Sequence, residues 1–214
     1  MIEYIQNNYS EILTDLGQHI WLALVPVVLG VIFALPVGYL AVRRGWLYQP
    51  IVNLGGVLYS IPSLALFLIM PAILGTGTLS PLNIVVSLAV YTFALLTRTV
   101  ADALLSVQGQ ATQAAEAMGF RPFRQLLQVE LPMALPVMLA GVRVATVANI
   151  SLVSVGALIG VGGLGALFTR GLQLGFMEPI IVGIVLSVLL AAVCDIAIVL
   201  LQRRLTPWDR VATR

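Results

Sequence analysis

Lysine is missing from this chain, and charged side chains of every kind are scarce. Only 9% of its 214 residues are charged, and all 11 basic residues are arginine, whereas globular proteins carry about 25% charged residues. From Gly45 to Thr97 there is no Asp, Glu, Lys or Arg. A solvated surface cannot be built from such a stretch. It is long enough to cross a bilayer twice, because one helical crossing needs about 20 apolar residues. The sequence therefore predicts a polytopic membrane protein.

The shortage of reactive side chains excludes several classes of site. With one cysteine, Cys194, and one histidine, His19, the chain has no internal disulfide and no metal cluster built from several histidines. Without lysine it has no P-loop. Residues 160–165 match Gly-x-Gly-x-x-Gly, but that nucleotide fingerprint follows a strand, and here it follows a predicted membrane helix. We predict no catalytic residue, cofactor or metal, and the net charge of +2 gives no nucleic-acid surface.

Five hydrophobic crossings are predicted, at residues 20–42, 51–74, 82–97, 135–158 and 179–201. They are uniformly apolar, which favours helices over barrel strands, whose residues alternate. The fold class is therefore all-α integral membrane. We divide the chain into an extracytoplasmic segment, 1–19, a transmembrane domain, 20–204, with a polar loop at 102–132, and a tail, 205–214.

The first 19 residues contain acidic side chains and no basic one. A secretory signal peptide begins with basic residues, so we expect the first span to stay in the mature protein. His19 stands at the outer start of that span, where we expect it to be a polar flank.

Arginine placement predicts the orientation. If the N-terminus is outside and the C-terminus inside, nine of the 11 basic residues lie on the inner side, which the positive-inside rule favours. Arg170 then lies in an outer loop and Arg143 within a span. The nine arginines on the inner side are Arg43, Arg44, Arg98, Arg121, Arg124, Arg203, Arg204, Arg210 and Arg214.

The polar loop carries the most specific local pattern. Its Ala-rich part favours a helix, Gly119 ends or bends that helix, and residues at helical spacing follow as far as Leu131 and Pro132. The pattern predicts a short helix–turn–helix on the inner face. It fits equally a knob that docks into a partner's groove and an amphipathic connector that rests on lipid headgroups.

This stretch resembles the "EAA" signature of inner-membrane subunits of binding-protein-dependent ABC importers: Glu-Ala-Ala, a Gly one turn later, then Ile-x-Leu-Pro. Here Gln113 replaces the Glu and Val129 the Ile. The resemblance implies a type I importer (MetI-like) transmembrane fold, with the loop as a coupling helix in a cleft of a cytoplasmic ATPase. The coupling residues it implies are Gln113, Ala114, Ala115, Glu116, Gly119, Phe120, Arg121, Leu131 and Pro132.

Two more stretches are similar to the osmoprotectant (glycine betaine, carnitine, choline) permeases of that family. One covers residues 60–66 of the second span, and the other is the Gly-rich segment 154–165, which methionine importers also carry in similar form. By themselves the glycines fit close packing or a moving gate, and packing is the commoner use. The path or gate residues inferred here are Tyr59, Ser60, Pro62, Ser63, Gly160, Gly162, Gly163 and Gly165.

Two charges fall inside predicted spans. Asp195 and Arg143 lie at similar depths below the inner boundary when each residue is given a helical rise of about 1.5 Å. A carboxylate in hydrocarbon needs a partner or water, so we predict a structural ion pair between them. The alternative is that Asp195 lines the pathway and meets a cationic solute.

Three functions stay open at this stage. The resemblance implies a permease subunit in a bacterial cytoplasmic membrane, working by alternating access with a second permease copy or paralogue, an ATPase dimer and an external solute-binding protein. Its solute is then a quaternary ammonium compound, with methionine or another small solute as the alternative. An aromatic site would draw on Tyr59, Tyr91 and Phe93, although selectivity is expected in the binding protein. A secondary transporter or a membrane scaffold is the other possibility.

Overall fold

A computed structural model of the chain describes residues 2–208, and within that range it contains helices and no strand. Arg210, Arg214 and most of the predicted tail lie outside the described residues. The α-helices are α1 (Ile2–Arg43), α2 (Tyr48–Ser60), α3 (Ser63–Leu74), α4 (Pro81–Val107), α5 (Gln110–Ala117), α6 (Pro122–Gln125), α7 (Leu131–Gly156), α8 (Gly165–Leu174) and α9 (Met177–Leu205). Short 3-10 turns occupy Gly45–Leu47 and Ala157–Ile159, and a π-helical turn, Leu126–Glu130, joins α6 to α7.

Helix α1 runs well beyond its predicted span at the N-terminal end. It begins at Ile2, with one non-helical residue at Asn8, so that residues 2–19 continue the membrane helix. Pro26 and Pro36 lie inside the helix without ending it. Membrane helices tolerate proline because neighbouring groups satisfy the backbone that it frees.

The predicted second span, 51–74, contains a sharp bend. Helices α2 and α3 meet at an angle of 100°. The cause is Pro62, which has no N–H to donate and keeps the preceding residue out of the helical region; Ile61 has φ −65° and ψ 130°. The hydroxyl of Tyr91 donates to the Ile61 carbonyl and holds the break. The described residues thus provide four helices able to cross a membrane, or five crossings if the bent pair counts as one.

The third span is longer than predicted, and the polar loop is correspondingly shorter. Helix α4 continues to Val107 instead of ending at Thr97. Arg98 and Asp102 therefore lie one turn apart on the same helix, with 3.5 Å between Arg98 Nε and Asp102 Oδ2. The segment after the Gly-rich stretch also differs, because it forms helix α8, which the sequence patterns did not predict.

Helix α4 lies at the centre of the bundle, between α1 and α7, and carries more buried residues than any other described helix. The main core cluster joins Leu22, Phe67, Ile84, Leu88 and Val153 from four helices. Hydrocarbon outside the bundle is as apolar as leucine, so the hydrophobic effect does not favour burial of these side chains in lipid. Close van der Waals packing stabilises the core instead. Helix α9 lies at the periphery, with the most apolar part of its surface unburied in this chain.

Candidate coupling element and translocation site

The Ala-rich half of the predicted coupling segment forms α5 and ends in a defined cap. The Phe120 N–H donates to the Ala115 carbonyl at 3.0 Å, and the Gly119 N–H donates to the Glu116 carbonyl at 2.9 Å. Gly119 has a φ of +77°. This is the Schellman arrangement, which requires the left-handed conformation that glycine adopts without a Cβ penalty. The predicted turn at Gly119 is present, and it sets the angle between α5 and α6.

One face of the α5–α6 unit is exposed and the other is buried. Ala115 is buried, whereas Gln113, Ala114 and Glu116 are exposed. The two largest apolar side chains on the outer face, Met118 and Phe123, are each 69% exposed. Exposed apolar residues grouped with polar ones are typical of interaction surfaces, and this face has that composition.

The second half of the unit is anchored to α1. Glu130, in the π-helical turn, is only 3% exposed, and its Oε1 accepts Arg43 at 3.0 Å and the Gln125 amide at 3.0 Å. Arg43 is the last residue of α1. The α5–α6 unit is therefore connected both to α7, by continuity of the chain, and to α1, through this carboxylate.

Phe120 and Arg121 lie in the turn between the two short helices. The guanidinium of Arg124 sits 5.3 Å from the centre of the Phe120 ring, and Arg124 Nε donates to Gln128 at 2.9 Å. Arg121 is exposed, and Leu131 and Pro132 begin α7. The structure thus brings the predicted coupling residues together at one end of the bundle.

The predicted path residues around the second span lie at the α2–α3 break. The rings of Tyr59 and Tyr91 make a T-shaped contact with centroids 5.7 Å apart. Ser60 donates to the Val57 carbonyl at 2.8 Å, and Pro62 and Ser63 begin α3. Beside Tyr59, a cavity of about 120 Å³ opens between α2 and α4, lined by Val52, Gly55, Gly56, Tyr59, Ala94, Leu95 and Arg98.

The Gly-rich segment is held by a buried histidine. His19 is fully buried; its Nδ1 accepts the Leu164 N–H at 3.1 Å, and its Nε2 lies 2.9 Å from the Ile150 carbonyl oxygen. Nε2 therefore carries the ring proton and donates it. The expectation that His19 is only a polar flank is wrong, because the ring joins α1 to α7 and to the Gly-rich turn.

Close contacts explain part of the glycine content of this turn. A Cβ at Gly163 would lie 3.1 Å from the His19 ring, and one at Gly165 would lie 2.5 Å from the Ser154 carbonyl oxygen. Gly160 and Gly162 face Leu79 and Gln18 in the same way. These contacts support packing as a use of the glycines. The turn packs against the N-terminal part of α1, so the structure does not join it to the site at Tyr59.

Two ion pairs tie the periphery to the bundle. Arg143 and Asp195 lie together across α7 and α9, with Nε to Oδ1 at 2.7 Å. On α8, Arg170 pairs with Glu11 of α1. The hydrogen bond with the Glu11 carboxylate raises the pKa of Arg170 above its ordinary value, so the guanidinium stays protonated.

Comparison with known proteins now decides the family. Residues 26–207 match the family described as the binding-protein-dependent transport system inner membrane component. The chain belongs to this family. It is therefore an inner-membrane subunit of a binding-protein-dependent ABC importer, a class whose members work with a solute-binding protein and an ATPase.

Curated relatives of this permease cover nearly its whole length. It is 35% identical over 209 residues to the osmoprotectant import permease protein OsmW of Salmonella typhimurium, covering 96% of this chain and 97% of that protein. It is 30% identical over 207 residues to the glycine betaine/carnitine/choline transport system permease protein OpuCB of Bacillus subtilis, covering 97% and 94%.

A solved structure shares the fold of this permease. An inward-facing MetNI methionine ABC transporter matches with a TM-score of 0.83, covering 91% of this chain and 96% of that chain, at 24% identity. The predicted MetI-like fold is confirmed.

Three contacts of the permease were not predicted from the sequence: the bond between Arg43 and Glu130 and the two bonds of His19. A signal for the first was present: a lone carboxylate, Glu130, stands among apolar residues directly before a span, and Arg43 ends another span on the same side. No comparable signal pointed to His19, because its partners are backbone groups.

Proposed function

We propose that this permease carries a small quaternary ammonium osmoprotectant, such as glycine betaine, carnitine or choline, across the bacterial cytoplasmic membrane. The names of the two relatives support that solute class. Methionine has less support, because the likeness to the methionine transporter, at 24% identity, concerns the fold. The chain works as one of a pair of permease subunits, identical or paralogous, and ATP is hydrolysed by a separate ATPase dimer.

The observation that supports coupling to a separate ATPase is that the α5–α6 unit has one exposed face and one face bonded to the bundle. Its outer face presents Glu116, Met118 and Phe123 to a partner. Its inner face is bonded to α1 through Glu130 and continues into α7. When ATP binding closes the ATPase dimer, the two coupling units approach each other, the inner mouth closes and the outer mouth opens.

The orientation belongs to the same proposal, with the N-terminus outside and the α5–α6 unit inside. Nine of the 11 arginines lie on the proposed inner side, as the positive-inside rule favours. Labelling of single cysteines tests it, with Glu116→Cys and Asn7→Cys introduced into a Cys194→Ser background. We expect an impermeant reagent to label Asn7→Cys in intact cells and Glu116→Cys only after permeabilisation. The reverse pattern would contradict the orientation.

Uptake by cells that hold the whole system tests the function itself. We expect import of labelled glycine betaine or choline in preference to methionine, and co-purification of an ATPase in mild detergent. Glu116→Arg should abolish uptake while the protein still folds, because this side chain is exposed. Arg44→Gln, an exposed change away from α5, is the control. Preferential uptake of methionine would refute the solute class, and full uptake by Glu116→Arg would refute the docking role.

A further inference from the structure

The cavity beside Tyr59 is lined by both an aromatic and a basic residue. The aromatic residue is Tyr59, which is 46% exposed, and the basic residue is Arg98. Gly55 and Gly56 contribute no side chain, and no acidic residue lines the cavity within the described range. Its volume of about 120 Å³ is well above the roughly 10–15 Å³ that a cavity needs to hold one water molecule. The space therefore suits a small solute.

The aromatic wall is held in place before any solute arrives. The Tyr59 ring meets Tyr91 edge to face, with an interplanar angle of 78°. Tyr91 is itself buried, and its hydroxyl is bonded to the Ile61 carbonyl at the helix break. An ordered aromatic ring attracts a quaternary ammonium group through its negative face, and the attraction grows as water is excluded.

The charged wall retains bonding capacity. The contact of Arg98 Nε with Asp102 Oδ2 is loose, at 3.5 Å, and the other oxygen of Asp102 accepts the Tyr48 hydroxyl at 2.6 Å. A guanidinium has five N–H donors in a planar fork that matches a carboxylate. Asp102 thus positions Arg98 without using up its donors.

We propose that this cavity is a transport subsite for a small zwitterion, with the quaternary ammonium against Tyr59 and the carboxylate on Arg98. This inference rests on the proposed function, since it takes the solute to be a quaternary ammonium compound. The subsite would make the permease itself, and not only the binding protein, discriminate between solutes. Solutes that bear a carboxylate, such as glycine betaine and carnitine, use both walls, whereas choline, which has a hydroxyl instead, uses the aromatic wall alone.

Uptake of two labelled solutes tests the subsite. Glycine betaine and choline are each supplied to cells with the whole system at concentrations that saturate the binding protein, so that the rate reports the permease. We expect Arg98→Gln to lower the maximal rate for glycine betaine relative to choline by about tenfold, the scale of one lost charge-assisted contact. Tyr59→Leu should lower both rates, and Tyr59→Phe should retain them. Equal losses for the two solutes in Arg98→Gln would overturn the proposal.

Two further variants separate solute binding from local structure. Asp102→Asn removes the partner of Arg98 but leaves the guanidinium in the cavity, so the preference for glycine betaine should persist. Arg44→Gln removes an inner-side charge outside the cavity and should change neither rate. If Asp102→Asn reproduces the selective loss of Arg98→Gln, the ion pair and not solute binding is responsible, and the subsite is refuted.

A binding measurement distinguishes failure of the subsite from failure of the proposed function. Saturation-transfer NMR records the contact of glycine betaine with the purified importer in the absence of binding protein. A signal that Arg98→Gln reduces by about tenfold supports the subsite even if cells import neither solute, in which case the proposed function fails alone. A signal of equal strength in wild type and Arg98→Gln, or none in wild type, overturns the subsite whatever the uptake.

Discussion

Arg143 and Asp195 form a bidentate ion pair across α7 and α9, with Arg143 Nε 2.7 Å from Asp195 Oδ1 and Arg143 Nη2 2.9 Å from Asp195 Oδ2. Both carboxylate oxygens are therefore engaged by one guanidinium, in the bidentate geometry that arginine favours. Helix α9 packs mainly on α7 and α8. The pair is thus a specific polar link between α7 and this peripheral helix.

We predict that the pair acts structurally and does not bind solute. Arg143→Gln and Asp195→Asn should each lower the yield of folded permease, because each leaves one charge without its partner in an apolar setting. The double variant should recover most of that yield. Fluorescence-detected gel filtration and thermal unfolding in detergent measure the four proteins. Losses that add in the double variant would show that the two residues are not coupled.

A second prediction concerns the anchor of the coupling unit. Glu130→Gln should weaken the bond between the π-helical turn and Arg43 while the amide retains the Gln125 contact. We expect a stability loss of about 1–2 kcal/mol, below that of a fully buried pair, because the Arg43 side chain is 33% exposed. The distinctive effect should be functional: the importer hydrolyses ATP but moves less solute per ATP. Measuring both rates in proteoliposomes checks it.

The control for this variant is Arg124→Gln, which removes an exposed charge from the same unit without touching α1. It should change the ratio of solute to ATP less than Glu130→Gln does. If the two variants give the same ratio, the link from Glu130 to α1 does not transmit the movement.

A third prediction tests the turn within the coupling unit. Gly119→Ala places a Cβ at a φ of +77°, which costs about 1–2 kcal/mol for an L-residue. No atom lies within 4 Å of that Cβ, so any effect comes from the backbone and not from a clash. We expect the cap of α5 to loosen and coupling to fall. Gly17→Ala is the matched control, since it also meets nothing within 4 Å but is helical, and it should be neutral or stabilising.

Much of the fold could be predicted because lipid imposes strong rules on sequence. Apolar runs located the crossing helices, and the gap between the second and third runs matches the end of α3 and the start of α4. The depth argument led to the contact between Arg143 and Asp195, because a charge within a span has few possible partners. The size of the bend at Pro62 and the length of α4 could not be predicted, because they depend on single backbone groups.

The candidate site was harder to predict because its contacts cross long stretches of chain. Arg43 and Glu130 are 87 residues apart, and Tyr59 and Tyr91 meet only because α2 folds back on α4. His19 illustrates the limit most clearly, since both of its partners are main-chain groups. Backbone donors and acceptors occur at every residue, so side-chain patterns carry no information about which of them will meet the ring.

The last prediction follows from that histidine. His19→Phe keeps an aromatic ring of similar size but leaves the buried Leu164 N–H without its acceptor and removes the bond to the Ile150 carbonyl. An unsatisfied buried donor costs about 1–3 kcal/mol, so we expect a lower unfolding temperature. We also expect faster proteolysis in the segment 160–165, because the ring is what holds this turn to α1.

His19→Asn distinguishes the two bonds, since its amide nitrogen can donate to Ile150 or its oxygen accept from Leu164, but its shorter side chain cannot span both. It should lie between wild type and His19→Phe in thermal stability. Thr14→Ala, on an exposed face of the same helix, is the control and should stay near wild type. If His19→Phe unfolds at the same temperature as Thr14→Ala, the buried ring does not hold the Gly-rich turn, and the close contacts at Gly163 must be maintained by packing alone.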